Sequence, residues 1–519
     1  MLDAVDWPTI SKGDPDAWLY FYEEFLGVYD NELRKQTGSY YTPPQVVGSM
    51  VRLVDDVLRT RFHLHAGLAS PTVALADPAV GTGTFLLGIL RWIARKVEAD
   101  EGPGAVPEVI KSAMGRLFGF ELQLGPFAVA QLRVLAELAE LTGAAPLTPL
   151  RMFVTDTLSS PYVEEEWLPA ILGPIAESRK QANSIKRRES ITVVIGNPPY
   201  KEKAKGRGGW VESGGKNSPE PAPLNAWQPP REWGVGAHAK HLRNLYIYFW
   251  RWATWKVFDH DPKHNTGVVC FITVAGFLNG PGFEKMRDDL RRKADDIWVI
   301  DCSPEGHQPE VNTRIFQGVQ QPVCIVLVSR SSASDPDVPA KVRFHALPTG
   351  KRETKFDALA TLTLNGDAWA ECPTDWRAPF LPRAVGAWAT YPTLDELFIY
   401  NGSGVMPGRT WIISPDAESL HQRWRTLINA PSDQKEALFH PHLRNGQPGD
   451  KHSNRVVSKG LPGYEPRPKP IADEHDSSHE PVRYGYRSFD RQWIIPDNRL
   501  INQPNPELWE CLFEQQVYL

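Results

Sequence analysis

Cysteine is scarce in this sequence: five in 519 residues, at 270, 302, 324, 372 and 511, with no CxxC pair among them. That excludes a zinc ribbon and a disulfide framework, and it fits a reducing compartment. No apolar run reaches the roughly 18 residues that a membrane-spanning helix requires. The first residues carry Asp3, Asp6, Trp7 and Pro8 where a secretory leader needs a basic start and an apolar stretch, so a cytoplasmic, membrane-free protein is expected. Charge of one sign is lacking too. The formal net charge is -5, which neither demands nor forbids nucleic acid, because only local clustering decides that. There is no GxxxxGK[ST] loop and no defensible nuclease constellation, so cleavage and ATP-driven translocation by this chain alone are not expected.

What is present begins with aromatic periodicity. Trp18, Phe21, Tyr22, Phe25, Leu26 and Tyr29 recur at helical spacing, and Thr37 to Pro44 then break the pattern before a second apolar-faced helix with Pro44 in its first turn. A constrained polar loop, Gly38-Ser39-Tyr40-Tyr41-Thr42-Pro43, is thus held between two helices, a site element or an ordinary turn. Thr72 to Ala76 read as a strand running into Asp77-Pro78-Ala79-Val80-Gly81-Thr82-Gly83-Thr84-Phe85 and a helix. Such a turn lets backbone approach a ligand closely. It is not a complete GxGxxG, which weakens a nicotinamide dehydrogenase reading, and an acidic strand end repels phosphate but attracts an ammonium.

Leu117 to Glu121 read as a second strand ending in a carboxylate, placed to accept the hydroxyl protons of a ribose. A helix follows Pro126, and Arg151 to Asp156 offer a third strand with an acidic end. Asp77, Glu121 and Asp156 at three successive strand ends describe a cradle for a nucleoside with a cationic tail. Ile191, Val193, Val194 and Ile195 then form a strand that Gly196 and Asn197-Pro198-Pro199-Tyr200 stop abruptly, because the prolines lack donors and fix φ. Asn197 and Tyr200 sit rigidly at the strand's carboxyl end, suited to gripping a planar amino group.

Residues 201–240 are rich in proline and glycine and hold Lys201, Lys203, Lys205, Arg207 and Trp210. They read as a long mobile loop beside the site, with basic groups for phosphates and Trp210 for stacking, or as a solvated insertion. The aromatics of 244–250 read as core. Strands at 267–273, 296–301 and 322–329 complete an alternation of strands and helices from 70 to 330, which argues for a doubly wound, mostly parallel α/β sheet. After about 335 the text turns rich in Trp, Arg, Pro and Gly, a mixed α+β region suited to phosphate contact and base-edge reading. Histidines 440, 442, 452, 475 and 479 have no cysteine partners, and no metal is expected. The expected division is a helical segment over 1–50, a catalytic domain over 51–335 and a recognition region over 336–519, which ends as though cut within a strand.

Taken in order, Gly38 to Pro43, Asp77 to Phe85 and Asn197 to Tyr200 resemble the GxYYTP, DPAxGTG(T/S)F and NPPY motifs of gamma-class adenine-specific DNA methyltransferases. The later SGVMPGRTW and YRSFDRQWIIPD resemble the methylase and specificity portion of single-chain type ISP restriction-modification enzymes. The resemblance implies a Rossmann-like, S-adenosylmethionine-dependent methyltransferase that modifies N6 of adenine in double-stranded DNA. It implies that Tyr41, Thr42 and Pro43 close over the methionine moiety, with Asp77, Ala79, Gly81, Gly83 and Thr84 around it. Glu121 is then expected to hold the ribose hydroxyls and Asp156 the adenine amino group. The target adenine is expected to flip out of the duplex and stack on Tyr200, while Asn197 and the Pro198-Pro199 turn grip its amino group. Nuclease and helicase modules, partners in that family, are absent from this chain. A glutamine-modifying protein methyltransferase, which also uses NPPY, and a catalytically silent DNA-specificity subunit are the competing readings.

Overall fold

The computed structural model describes residues 41–144, 149–163, 173–215, 221–332, 334–400, 402–440, 443–444, 447–448, 452–487 and 490–511. The helix expected over 16–36 lies outside them. The described residues fall into two compact units, the first reaching Ala384 and the second starting at Val385.

In the first unit the apolar runs become strands: β1 (Leu75–Asp77), β2 (Leu117–Glu121), β3 (Met152–Val154), β4 (Val193–Gly196), β5 (Gly267–Val274), β6 (Asp296–Asp301), β7 (Val323–Arg330), β8 (Lys341–Ala346) and β9 (Ala370–Glu371). They pair in one nine-stranded sheet of order β3-β2-β1-β4-β5-β7-β6-β8-β9. From β3 to β5 every neighbour is parallel, and β7 runs antiparallel between β5 and β6. The fold is a doubly wound, mostly parallel sheet. All residues of β5 and nearly all of β7 are buried, as uninterrupted Val, Ile and Cys runs require when helices cover both faces.

Six helices frame the site: α1 (Pro44–Thr60), α2 (Thr84–Glu101), α3 (Val106–Met114), α4 (Leu124–Thr142), α5 (Gly173–Arg188) and α6 (Leu245–Thr254). Helix α1 starts at Pro44 and buries Val46, Val47, Met50, Val51, Val54 and Leu58. The aromatics of α6 are core, as their sequence suggests; Trp250 and Trp252 are fully buried. Because β1 pairs with β2 on one side and β4 on the other, the chain reverses its winding there. A crevice therefore opens at the carboxyl ends of β1 and β4.

Two expectations need correction. The sheet continues past residue 335: β8 pairs with β6, β9 pairs with β8, and the buried Arg291 donates to the carbonyls of Pro373 and Ala378, tying that segment to α7 (Glu284–Lys293). The polar stretch near 335 is a connection within the sheet, and the first unit ends at Ala384. The expected break at residue 50 falls inside α1. Second, the described parts of 201–240 are not a structureless loop. They form short helical turns at Gly209–Ser213, Pro223–Trp227, Arg231–Trp233 and Gly236–Arg243. Trp210 is only 2% exposed, edge-on to Trp255 at 4.7 Å, and is an anchor rather than a stacking platform.

In the second unit, β10 (Ile413–Ser414), β13 (Val482–Arg487) and β14 (Asp490–Ile494) form an antiparallel sheet of order β10-β14-β13, and β11 (Leu443–Arg444) pairs with β12 (Gln447–Pro448). Helices α9 (Ala417–Asn429) and α10 (Ser432–Phe439), which follow α8 (Arg352–Thr361) in the first unit, pack Leu420, Trp424, Leu427 and Phe439 with Ile494, Leu500 and Ile501. Beside that core lies a buried ion network. Asp497 accepts from His479 at 3.1 Å and from Arg499 at 2.7 Å, and Arg499 also meets Glu474 at 2.9 Å. Against burial, its hydrogen bonds with His479 and Arg499 and the charge of Arg499 hold the Asp497 carboxyl well below the usual range.

Candidate active site

The three acidic strand ends come together. Asp77 closes β1 beside Gly119 of β2, and Glu121 closes β2 beside Val154 of β3, two residues before Asp156. Asp77 is fully buried. Its Oδ1 accepts from the Ala79 amide at 3.0 Å, while Oδ2 finds no partner. Burial pushes its carboxyl up to about 7, with the Ala79 bond acting against the shift and the nearby Glu121 adding to it. A buried carboxylate with one oxygen unmatched is complementary to a cation.

Glu121 shapes the glycine turn directly. Its Oε2 accepts from the Gly81 amide at 2.9 Å and Oε1 from the Gln123 amide at 2.8 Å, so each oxygen keeps a further accepting site. Burial raises its carboxyl against those backbone bonds. Gly81 and Gly83 both take positive φ, +55° and +87°, for different reasons. A Cβ on Gly83 would press on Ala130 of α4 at 3.2 Å, whereas one on Gly81 would meet only the Ala79 carbonyl at 4.0 Å. Gly81 therefore faces open space and Gly83 serves packing. Thr84 is the half-buried first residue of α2.

Asp156 accepts from the Leu158 amide at 2.9 Å, and Thr157 Oγ1 donates to the Pro78 carbonyl at 2.5 Å, locking the third strand end onto the first turn. The prop under Asp156 is Lys186, a residue that sequence reasoning missed. Its Nζ donates to the Asp156 carbonyl at 2.7 Å and to Ser159 Oγ at 3.1 Å while the side chain is fully buried. Burial lowers its ammonium to about 7 against the opposing pull of Asp156. A signal existed: Ala182, Ile185 and Lys186, spaced i, i+3, i+4, form the buried stripe of an otherwise polar helix.

The amino-gripping motif stands on the next strand. A Cβ on Gly196 would fall 2.8 Å from Asp77 Oδ1, so the Asp77 carboxylate occupies the space a side chain would need there. Asn197 follows, half-buried, and its Nδ2 donates to Thr42 Oγ1 at 3.0 Å, joining the motif to the loop before α1. Tyr41 and Pro43 flank Thr42, both half-buried, and Pro198 is buried with Pro199 half-exposed. Tyr200 Oη donates to the Ile272 carbonyl at 3.1 Å, and its ring meets Phe316 edge-on at 5.9 Å. Phe316 was not among the residues expected at the site. Leu122, next to Glu121, is 63% exposed and adds apolar surface at that strand end.

Downstream of Tyr200 two basic segments are zipped together. Lys203 donates its amide to Asn244 Oδ1 at 3.0 Å, Ala204 its amide to the Arg243 carbonyl at 2.8 Å, and Leu245 its amide to the Lys201 carbonyl at 2.8 Å. Lys203, Lys205, Arg207, His238, Lys240 and His241 are exposed along this ledge. Partial burial first, then the neighbouring Lys240 and His238, lower the His241 imidazole, while Glu202 on the same segment acts the other way.

Comparison with known proteins follows the same lines. The N-6 DNA Methylase family matches residues 14–215, and the Type ISP C-terminal specificity domain matches 396–519. Among solved structures, the ATP-dependent Type ISP restriction-modification enzyme LlaBIII bound to DNA is 20% identical with a TM-score of 0.58, covering 89% of this chain and 30% of that one. A nuclease-deletion mutant of the Type ISP enzyme LlaGI with a DNA substrate mimic is 17% identical with a TM-score of 0.60, covering 94% and 39%. The DrdV–DNA complex is 20% identical with a TM-score of 0.56, covering 94% and 46%. This chain thus spans less than half the length of each. No curated protein matches. The chain resembles N6-adenine DNA methyltransferases of the type ISP arrangement and shares the fold of the solved Type ISP enzymes.

Proposed function

We propose that the first unit transfers a methyl group from S-adenosylmethionine to N6 of a flipped adenine in DNA, as the modification part of a restriction-modification or phage-defence system, and that the second unit contributes to target recognition. The observation that carries this is the unmatched Oδ2 of the buried Asp77, next to the open space at Gly81 and one strand away from Asn197. The residues fit the cofactor. Asp77 would meet its ammonium, the remaining lone pairs of Glu121 its ribose hydroxyls, Asp156 its adenine amino group, and Leu122 an apolar ring face. When bound, S-adenosylmethionine supplies a sulfonium methyl as electrophile.

The chain's own groups do the rest by position. Tyr200, its hydroxyl anchored on the Ile272 carbonyl and its ring meeting Phe316 edge-on, is the aromatic that would stack on the flipped base. The Asn197 side-chain oxygen and the Pro198 carbonyl accept the two amino hydrogens of the target. That draws the nitrogen lone pair out of conjugation with the ring, and no ionised base has to act before transfer because the nitrogen becomes acidic only once alkylated. Unstacking the adenine costs a few kcal/mol, and phosphate contacts along the Lys203–Lys205–Arg207 ledge are suited to offset it. The test is expression in a host without adenine methylation, followed by sequencing of its DNA for N6-methyladenine. A modified motif supports the reading. Cofactor-binding protein that leaves DNA unmodified overturns it and favours a silent specificity subunit, while methylated glutamine in host protein would favour the protein-modifying alternative.

A further inference from the structure

We infer that Thr42 is a positioning residue whose hydroxyl restrains the Asn197 side chain, rather than a residue that serves only the cofactor. The inference rests on the methyl-transfer reading above. An asparagine that must accept hydrogens from an incoming amine loses its aim if its side chain is free to change rotamer. Thr42 Oγ1 lies 3.0 Å from Asn197 Nδ2. With the amide engaged there, the side chain is held in one position, with Oδ1 on the side away from Thr42.

Both partners are rigid before they meet. Thr42 is 5% exposed and precedes Pro43, whose φ of -55° and carbonyl bonds to the Val46 and Val47 amides begin α1. Pro44 occupies the first helical position, and the helix behind it is buried along its apolar face. Asn197 is fixed between the Gly196 contact with Asp77 and Pro198. The bond therefore costs little conformational entropy, and it ties a segment expected to close over the cofactor to the group expected to hold the acceptor. A cofactor-only threonine has no need of this partner.

The test compares Thr42→Val, which keeps the shape and removes the hydroxyl, with Thr42→Ser, which keeps the hydroxyl, in the full 519-residue chain. The inference expects kcat at saturating S-adenosylmethionine to fall about tenfold in Thr42→Val and about twofold or less in Thr42→Ser, the loss matching one hydrogen bond. The dissociation constant for S-adenosylmethionine, measured calorimetrically, should stay within about twofold in both. Independently of activity, the Asn197 side-chain amide resonances in asparagine-selective nitrogen-15 spectra, assigned by their loss in Asn197→Ala, should shift in Thr42→Val and hold in Thr42→Ser. Weakened cofactor binding with kcat restored at saturation would overturn the inference, as would unmoved amide resonances. Absence of transfer by the unsubstituted chain would instead overturn the function on which it rests. If Thr42→Val fails to fold, Thr42→Ala is read against Thr42→Ser in the same way.

Discussion

Replacing Asp77 by Asn should stabilise the empty protein at alkaline pH while removing cofactor binding. The carboxyl is raised from 3.8 to about 7 by full burial. A folded-state pKa above the unfolded value means that the native state holds the proton more tightly, so the penalty is absent below pH 4, grows as pH rises, and is complete above 7. At about 1.4 kcal/mol per pKa unit, the cost of the ionised, uncompensated carboxylate at pH 8 is on the order of 4 kcal/mol. An asparagine does not titrate. The difference in unfolding free energy between Asp77→Asn and the parent, from urea titrations at pH 4 to 8, should therefore grow by roughly that amount across the window, whatever its constant offset. An ammonium beside Oδ2 favours the ionised form, so cofactor affinity of the parent should rise as pH climbs toward 7, with a proton released on binding. Asp77→Asn should lose about 10- to 100-fold in affinity, the range for a hydrogen bond to a charged group. A pH-independent stability difference, or full affinity in the variant, would refute the reasoning.

Asn197→Ala should abolish methyl transfer while calorimetry finds cofactor affinity within a few-fold; a large loss of affinity would mean that Asn197 belongs to the cofactor half. Lys186 is lowered from 10.5 to about 7, so its buried charge penalises the fold fully below 7 and the parent should gain stability as pH rises from 7 toward 10. Lys186→Met should erase that gain in thermal denaturation and weaken cofactor binding through the unsupported Asp156 carbonyl. Replacing Lys203, Lys205 and Arg207 together by Ala should lower the slope of log affinity for duplex DNA against log salt by about 2 to 3, near one for each phosphate that is no longer neutralised. An unchanged slope in a binding assay across salt concentrations would take the ledge out of the DNA path.

The carboxyl-edge acids were readable because three of the apolar runs lead into one acidic residue each, and a local pattern needs no knowledge of its neighbours. Lys186 went unread and Trp210 was misread for the opposite reason. A lysine in a polar helix and a tryptophan among prolines and basic residues look solvent-facing until another element covers them: Lys186 lies against the Asp156 loop, and Trp210 against Trp255. The polar stretch near 335 misled in the same way, since only pairing of β8 with β6 shows that the sheet continues beyond it. Most instructive is Gly196. In the sequence it only helps to end the strand before the amino-gripping motif, but its missing side chain leaves room for the carboxylate of Asp77, on a strand adjacent only through the crossover. The acid expected to meet the cofactor thus lies directly against the residue that precedes the asparagine expected to meet the base. For an in-line displacement that proximity matters, and no motif spacing along the chain encodes it.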